Sequence, residues 1–282
     1  MLTPGAIIYP LVFALGSVVG SFLNVCIYRL PRDRSVVSPP SHCPKCGARL
    51  RAADLVPLLS FLALARKCRS CGNPIPWRYF LVELITGLVF VLVWIVSGPG
   101  PQVLPAWIFS STMIAVVFTD LDHMIIPDKL VLGALAAALL SEALLVARAT
   151  TPLLSVPVPG TDSALPRFLA GGGLGVAAFV FIRAFSQLLF RREGMGLGDL
   201  KLAGAIGAML GPAHALLSFG LAIGVGAMLG VALLLLRLRR RMEYLPFGPF
   251  LALSSLTVLL APRYLDEMTR DLCTRWLAVF GA

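Results

Sequence analysis

The chain has 282 residues, of which 58% are hydrophobic and only 13% are charged. A soluble globular domain carries roughly a quarter charged residues, so this composition excludes an ordinary soluble domain. The apolar residues form blocks of about 20 residues, which is the length of a membrane-spanning helix, whereas a β-barrel would show short alternating segments. We therefore predict an all-α integral membrane protein.

The first predicted element is an apolar helix at 6–28. No basic region precedes this helix and no cleavage site follows it, so we interpret it as a membrane helix rather than a cleavable signal peptide. The span at 199–212 is short, because Gly211 and Pro212 end it. In all we predict about eight transmembrane helices; those after the first lie at about 79–97, 104–121, 129–147, 167–190, 199–212, 214–236 and 247–262.

The net charge of +10 arises largely from two basic segments, 29–78 and 237–241. Basic segments of this kind are typical of the cytoplasmic loops of membrane proteins, and no surface of interleaved basic and aromatic residues predicts nucleic-acid binding. We place 29–78 in the cytoplasm, which puts Asp120 and Asp199 on the same side. The chain then divides into a first membrane helix (1–28), a cytoplasmic domain (29–78), a polytopic membrane domain (79–262) and a C-terminal tail (263–282).

Glycine pairs separated by four residues recur along the predicted spans. Glycines at this spacing form a smooth strip on one helix face and let backbones approach closely, so we predict contacts between helices there. The pairs are Gly171/Gly175, Gly207/Gly211, Gly220/Gly224 and Gly226/Gly230.

The cytoplasmic domain contains two Cys-x-x-Cys motifs separated by 21 residues, and this pattern predicts one zinc site. Each motif supplies two thiolates to a tetrahedral metal, so the predicted ligands are Cys43, Cys46, Cys68 and Cys71. Four sulfur ligands leave no open position, which makes the metal structural rather than catalytic. The alternative is two disulfides or free thiols, and the reducing cytoplasm disfavours disulfides.

Two aspartates lie at the cytoplasmic ends of predicted spans, Asp120 at the end of one and Asp199 at the start of another. Ionisable groups at the edge of the hydrocarbon region are costly and indicate function. Two carboxylates at one depth form the dyad of an aspartic protease: one stays protonated and donates, and the other stays ionised and activates water. Asp128, by contrast, is interpreted as a loop residue that caps a helix beginning near Leu130.

Four further residues are candidates for supporting roles. Gly196 and Gly198 precede the second aspartate and allow the backbone and the substrate to approach it closely. Lys201 is predicted to anchor its helix at the lipid headgroups. Glu83, at the cytoplasmic start of the second span, is predicted to contact the substrate amino terminus or a transferase site, or to form a salt bridge with Arg78 or Lys201.

Six sequence motifs of the chain occur in a characteristic order. They are "GSFLNVCIYRLP", the two Cys-x-x-Cys pairs, "RYFLVELITG", "DLDHMIIPD", "GMGLGDLKL" and "PFGPFLA". "GMGLGDLKL" looks like the G-x-G-D motif of intramembrane aspartic proteases, and the whole set resembles the bacterial prepilin peptidases (type IV leader peptidases) over about residues 16–252. By this resemblance Asp120 and Asp199 match the two catalytic aspartates, and the four cysteines match a cytoplasmic zinc-binding domain.

The resemblance implies an activity, a methyl donor and partners. Members of the family cleave the short basic leader from type IV prepilins and type II secretion pseudopilins after a glycine, at the cytoplasmic face of the bacterial inner membrane. Many members then methylate the new amino terminus with S-adenosylmethionine, and the cysteine-bearing domain accompanies methylation. The alternatives are a peptidase that does not methylate and a zinc-bearing membrane scaffold or transporter. A transporter is expected to carry charged residues near the bilayer midplane.

Overall fold

The structure of the chain, a computed structural model, describes residues 4–147, 164–190, 196–236 and 246–261. Helices account for nearly all regular structure in these residues, which contain two isolated β-bridges and no strand. The basic segment 237–241 and the tail 263–282 lie outside the described residues. The helices are α1 Pro4–Arg29, α2 Leu59–Ala63, α3 Trp77–Ser97, α4 Val103–His123, α5 Asp128–Val146, α6 Ala164–Phe190, α7 Leu197–Leu210, α8 Pro212–Leu235 and α9 Gly248–Leu260.

The predicted class, an all-α multi-pass membrane protein, is confirmed. Six described helices are long and apolar enough to cross a membrane, namely α1, α3, α4, α5, α6 and α8. The other two predicted spans are helices in the expected places, but α7 and α9 have only 14 and 13 residues. A spanning helix needs about 20 residues, so these two are too short to cross the bilayer alone.

The short helix α7 is enclosed by protein. Its nine residues from Leu202 to Leu210 are all buried, and it ends at Gly211, whose φ of 79° suits glycine and breaks the helix before Pro212. A helix that is surrounded by other helices does not have to match the thickness of the lipid, because its backbone is already satisfied and shielded.

Two compact units make up the chain, Met1–Gly98 and Pro99–Ala282. In the first unit α1 and α3 pack side by side through glycines. A Cβ atom built at Gly16 would lie 2.8 Å from Phe90 Cβ, and one at Gly20 would lie 2.8 Å from Glu83 Cα. This close approach holds the cysteine-bearing segment between two tightly paired membrane helices of the same unit.

In the second unit α6 packs against α7 through the predicted glycines. A Cβ atom at Gly171 would overlap the carbonyl oxygen of Gly207, and one at Gly175 would overlap that of Ala203. The prediction of close helix contacts is therefore correct for these positions. Gly220, Gly224 and Gly230 on α8 make no such contact within the part of the chain that the structure describes, because an added Cβ would meet no described heavy atom within 4 Å. Glycine spacing makes a close contact possible but does not supply the second helix.

Candidate active site and candidate metal centre

Asp120 lies in the last turn of α4 and is only 5% exposed. Its carboxylate oxygen Oδ2 accepts a hydrogen bond from the backbone N–H of Gly248 over 3.0 Å. Gly248 is the first residue of α9, where backbone N–H groups have no partner inside the helix and the helix dipole is positive. The start of α9 is thus a pre-formed donor for a negatively charged Asp120.

Asp199 lies in the first turn of α7 and is partly buried. Its carboxylate interacts with the backbone N–H of Gly196, the N-cap residue of α7. A carboxylate three residues after the N-cap that reaches back to it is half of a capping box, and it stabilises the start of the helix. The G-x-G-D sequence therefore fixes both the beginning of α7 and the position of the aspartate.

Ile126, in the turn between α4 and α5, packs against the glycines at the starts of both α7 and α9. A Cβ atom at Gly198 would lie 3.1 Å from Ile126 Cβ, and one at Gly248 would lie 3.1 Å from Ile126 Cδ1. Asp120 and Asp199 meet at this same end of the second unit, close enough for their carboxylates to interact electrostatically. Both predicted catalytic residues therefore sit together, each beside a helix N-terminus.

Lys201 and Asp128 form an ion pair beside the two aspartates. Lys201 Nζ donates to Asp128 Oδ1 over 2.7 Å, and the side chains are 49% and 69% exposed, respectively. Lys201 thus has an ion-pair partner, Asp128, that the predicted role as a headgroup anchor did not include. The predicted start of the next helix is corrected, because α5 begins at Asp128 itself and Pro127 is the N-cap residue.

Glu83, a candidate for a supporting role, binds a backbone group within the first unit. It lies in α3, is 9% exposed, and its Oε2 accepts a hydrogen bond from the backbone N–H of Leu58 over 2.8 Å. The Ser21 side chain on α1 also bonds to this carboxylate. Leu58 has a φ of 61°, which is unfavourable for a branched side chain. Glu83 thus holds a strained turn of the segment 29–78 on the α1–α3 pair.

The four predicted cysteine ligands converge on one point. Their sulfur atoms all lie within 4.8 Å of one another, and those of Cys43 and Cys71 are 4.0 Å apart. A tetrahedral zinc with bonds of about 2.3 Å places its sulfurs about 3.8 Å apart, so the cluster fits a single metal ion. Within the described residues these four cysteines form no disulfide, so the cluster is either a metal site or a set of free thiols.

The two Cys-x-x-Cys motifs form the same local structure twice, 25 residues apart. In the first motif the Cys43 N–H donates to the Ala48 carbonyl and the Gly47 N–H donates to the Cys43 carbonyl, each over 2.9 Å. In the second motif the same bonds run from Cys68 to Asn73 and from Gly72 to Cys68. Both turns need glycine after the second cysteine, since Gly47 and Gly72 have φ values of 71° and 69°. Each motif therefore presents its two sulfurs in the same way.

Electrostatics in the cysteine cluster favours a bound cation. Backbone N–H groups of Cys71 and Ser70 donate to the sulfur of Cys68 and lower the pKa of that thiol to about 7. At Cys71 the N–H of Asn73 acts in the same direction, but desolvation and the neighbouring sulfurs outweigh it and raise the pKa to about 11. Metal binding requires deprotonated thiolates, so a bound metal ion would hold the four sulfurs in that form.

Two arginines form side-chain hydrogen bonds within the segment 29–78. The Arg69 guanidinium donates to Asp54 Oδ1 from Nε and Nη2, over 3.0 and 2.7 Å, and this bond lowers the pKa of the Asp54 carboxyl. Arg29, at the end of α1, is 6% exposed and donates to the carbonyl oxygens of Ser35 and Pro39. Arg29 belongs to the basic segment that is predicted to orient the chain in the membrane. Its side chain also fixes the loop that follows α1.

Comparisons with known proteins agree with this architecture. Residues 14–97 match the profile described as Bacterial Peptidase A24 N-terminal domain, and residues 107–231 match that of the Type IV leader peptidase family. The chain is 35% identical to the prepilin leader peptidase/N-methyltransferase of Aeromonas hydrophila, covering 95% of both chains. It is 33% identical to the protein of the same name from Pseudomonas aeruginosa, covering 93% of this chain and 94% of the relative.

A differently named relative gives the same result. The type 4 prepilin-like proteins leader peptide-processing enzyme of Escherichia coli is 32% identical, over 86% of this chain and 90% of that protein. No solved structure matches the chain. The profile matches and the full-length similarity to these relatives show that the chain belongs to the type IV leader peptidase family.

Proposed function

We propose that this protein removes the leader peptide from prepilins and pseudopilins and then methylates the new amino terminus. The peptidase function follows from family membership and from the names of the relatives. The observation that carries the site assignment is the pairing of Asp120 and Asp199 at one end of the second unit, each bonded to a backbone N–H group at a helix start.

The dyad acts on one peptide bond and one water molecule. One carboxylate takes a proton from the water, whose oxygen attacks the carbonyl carbon after the last leader residue, and the other carboxylate donates its proton to the carbonyl oxygen. The tetrahedral intermediate then collapses, the C–N bond breaks, and the amine leaves with a proton from the dyad. The products are the leader with a carboxylate end and the mature protein with a free amine.

Methylation is proposed from the relatives' names, which include N-methyltransferase activity. S-adenosylmethionine would supply the methyl group, which the new amine accepts with loss of a proton while S-adenosylhomocysteine leaves. The alternative is a peptidase that stops after cleavage. Glu83 is the candidate carboxylate for the methylation step, supported by its burial between α1 and α3 beside the cytoplasmic segment.

The metal is proposed to be zinc with a structural role. Cys43, Cys46, Cys68 and Cys71 would hold it, and the ion would join the two Cys-x-x-Cys turns. The proposed location is the bacterial inner membrane, with the dyad and the cysteine cluster facing the cytoplasm. This placement is supported by the basic residues of the segment 29–78.

A cleavage assay on a purified prepilin tests the proposal. The protein in lipid vesicles is mixed with prepilin, with and without S-adenosylmethionine, and the product is weighed by mass spectrometry. We expect loss of the leader in both reactions and the added mass of one methyl group only with the donor. Cleavage without methylation under saturating donor supports the peptidase-only alternative, and absence of cleavage contradicts the proposed function.

A further inference from the structure

Residues 52–63 of the first unit carry large apolar side chains on their surface. Phe61 faces inward and packs against the rings of Trp77 and Phe80 on α3, with ring centroids 5.3 and 5.2 Å apart, respectively. Four other side chains have exposed fractions from 43% to 66%, namely Leu55, Val56, Leu59 and Leu62. We call residues 52–63 the apolar turn, because it is fixed on α3 by one aromatic side chain and exposes aliphatic ones.

The apolar turn reaches below the end of α3. This helix has 21 residues and is about 31 Å long, so it just spans a hydrocarbon layer of roughly 30 Å and Trp77 lies at the edge of that layer. Glu83, which accepts the hydrogen bond of the Leu58 N–H over 2.8 Å, lies six residues further along, or about 9 Å. The Glu83 side chain tilts back toward Trp77, which still leaves Leu58 inside the layer.

Helix α1 gives the same depth from separate contacts. Ser21 also bonds to the Glu83 carboxylate, and it lies eight residues before Arg29, where α1 ends, or about 12 Å along the helix. Asn24, nearer that end, donates to the Tyr79 carbonyl over 3.0 Å, which sets the register of the two helices. The carboxylate that holds the apolar turn therefore lies inside the hydrocarbon layer by both measures.

Charged contacts on both sides of Leu58 bring the chain back to the membrane surface. Before it, the Asp54 carboxylate pairs with Arg69 of the second Cys-x-x-Cys motif over 2.7 Å. After it, the Arg66 guanidinium lies over the Trp77 ring, 5.5 Å from the centroid. Aromatic and basic side chains are enriched where a protein crosses the membrane–water interface. The apolar turn thus enters the layer after Asp54 and leaves it before Arg66.

The exposed side chains of the apolar turn fit lipid better than another helix. Helix pairs in this unit meet through glycines, as at Gly16 and Gly20, because close packing in a membrane requires small residues. The apolar turn exposes leucine and valine instead. At the same depth the membrane helices also expose large apolar residues, Phe22 on α1 and Leu81 on α3, so the turn continues a surface that already faces the bilayer.

We propose that the apolar turn is inserted into the bilayer, where its exposed leucines and valine contact the acyl chains of the adjacent leaflet. The segment 29–78 is then attached to the membrane at a third place, in addition to the ends of α1 and α3. Because Asp54 is bonded to Arg69 beside Cys68, this insertion also holds the cysteine cluster against the membrane surface.

Quenching by labelled lipids tests the insertion on the full-length protein without turnover. The fluorescent residue dansylalanine replaces Leu62, and the protein is placed in phosphatidylcholine vesicles that carry a nitroxide on the upper part of the acyl chain. The matched control is the same residue at Val37, which is apolar, 85% exposed and in the same segment, but in the loop beyond the end of α1. We expect strong quenching at position 62 and little at position 37; equal quenching at both positions overturns the proposal.

Depth gives a second measurement, at Leu59. The chain rises from the level of Glu83 to that of Trp77 between Leu58 and Arg66, so a nitroxide placed deeper in the acyl chain should quench position 59 more than position 62. Quenching of both positions by iodide in the buffer would place the turn in water and contradict the proposal. Blue-shifted emission without quenching by lipid would mean that protein covers the turn, which contradicts it as well.

Discussion

The backbone N–H of Gly248 donates to the Asp120 carboxylate across 128 residues of sequence. A side chain at this position would have no room, because a Cβ atom built on Gly248 lies 2.6 Å from Asp120 Oδ2 and 3.1 Å from Ile126 Cδ1. The glycine is therefore required twice, once as a donor and once for its missing side chain. The start of α9 belongs to the candidate site as much as the aspartate does.

Gly248→Ala should damage cleavage without removing an ionisable group. The added methyl group must displace the Asp120 carboxylate, and a misplacement of about 1 Å costs on the order of 100-fold in rate. We expect kcat on prepilin to fall by that order while KM changes little. The matched control is Gly226→Ala, whose Cβ would make ordinary contacts of 3.6 Å and more; equal losses in both variants would mean that the effect is not local.

Asp120→Asn and Asp199→Asn should each abolish leader cleavage while the protein stays folded in the membrane. Each change keeps the side-chain shape but removes a group that exchanges a proton with water or with the peptide. Asp122→Asn, in the same turn as Asp120, is the control and should be much milder. Leader release is measured by mass spectrometry, and wild-type cleavage by the Asp199→Asn protein would contradict the assignment of the dyad.

Serine in place of Cys43, Cys46, Cys68 or Cys71 should remove the metal and loosen the segment 29–78. Purified wild-type protein should contain about one zinc per chain under reducing conditions, since four thiolates complete one site. We expect methylation to be lost first and cleavage to suffer less. Metal analysis is the direct check, and Cys26→Ser, a buried free cysteine outside the cluster, is the control. A zinc content near zero in the wild type would exclude the metal centre.

Glu83→Ala and Glu83→Gln separate a structural role from a role of the charge. Alanine leaves the Leu58 N–H without its acceptor, which costs about 1–3 kcal/mol for a buried group, whereas the glutamine oxygen still accepts this bond. Limited proteolysis of the turn that contains Leu58 should therefore be faster in Glu83→Ala and unchanged in Glu83→Gln. Methylation lost in the stable Glu83→Gln protein would show that the transferase step needs the carboxylate charge.

Apolar runs and local motifs predicted the features that depend on nearby residues. The helix positions follow from unbroken apolar segments, and the end of α7 follows from Gly211 and Pro212. The cysteine cluster follows from two Cys-x-x-Cys motifs, because each motif builds its own turn. Asp120 and Asp199 could be predicted as functional residues because a carboxylate at a membrane boundary is energetically costly.

Contacts made by backbone groups far apart in the chain could not be predicted, because they leave no pattern in the amino-acid sequence. Gly248 donates through its main chain, and the Leu58 N–H that binds Glu83 is also a backbone group, so no residue type announces either bond. The Lys201–Asp128 pair joins residues 73 apart, and choosing that partner requires knowing that α5 packs on α7. A glycine within a short motif, "PFGPFLA", was the available signal for Gly248.

The length of α7 bears on how water reaches the dyad. Its 14 residues measure about 21 Å, against roughly 30 Å for the hydrocarbon layer. The difference of about 9 Å means that the two ends of α7 cannot both reach the edges of the hydrocarbon layer. A catalytic pair at the end of a helix that stops short of the membrane edge needs a path for water between the surrounding helices. Because a thicker bilayer increases the difference, we expect the rate of leader cleavage in vesicles to depend on the acyl chain length of their lipids.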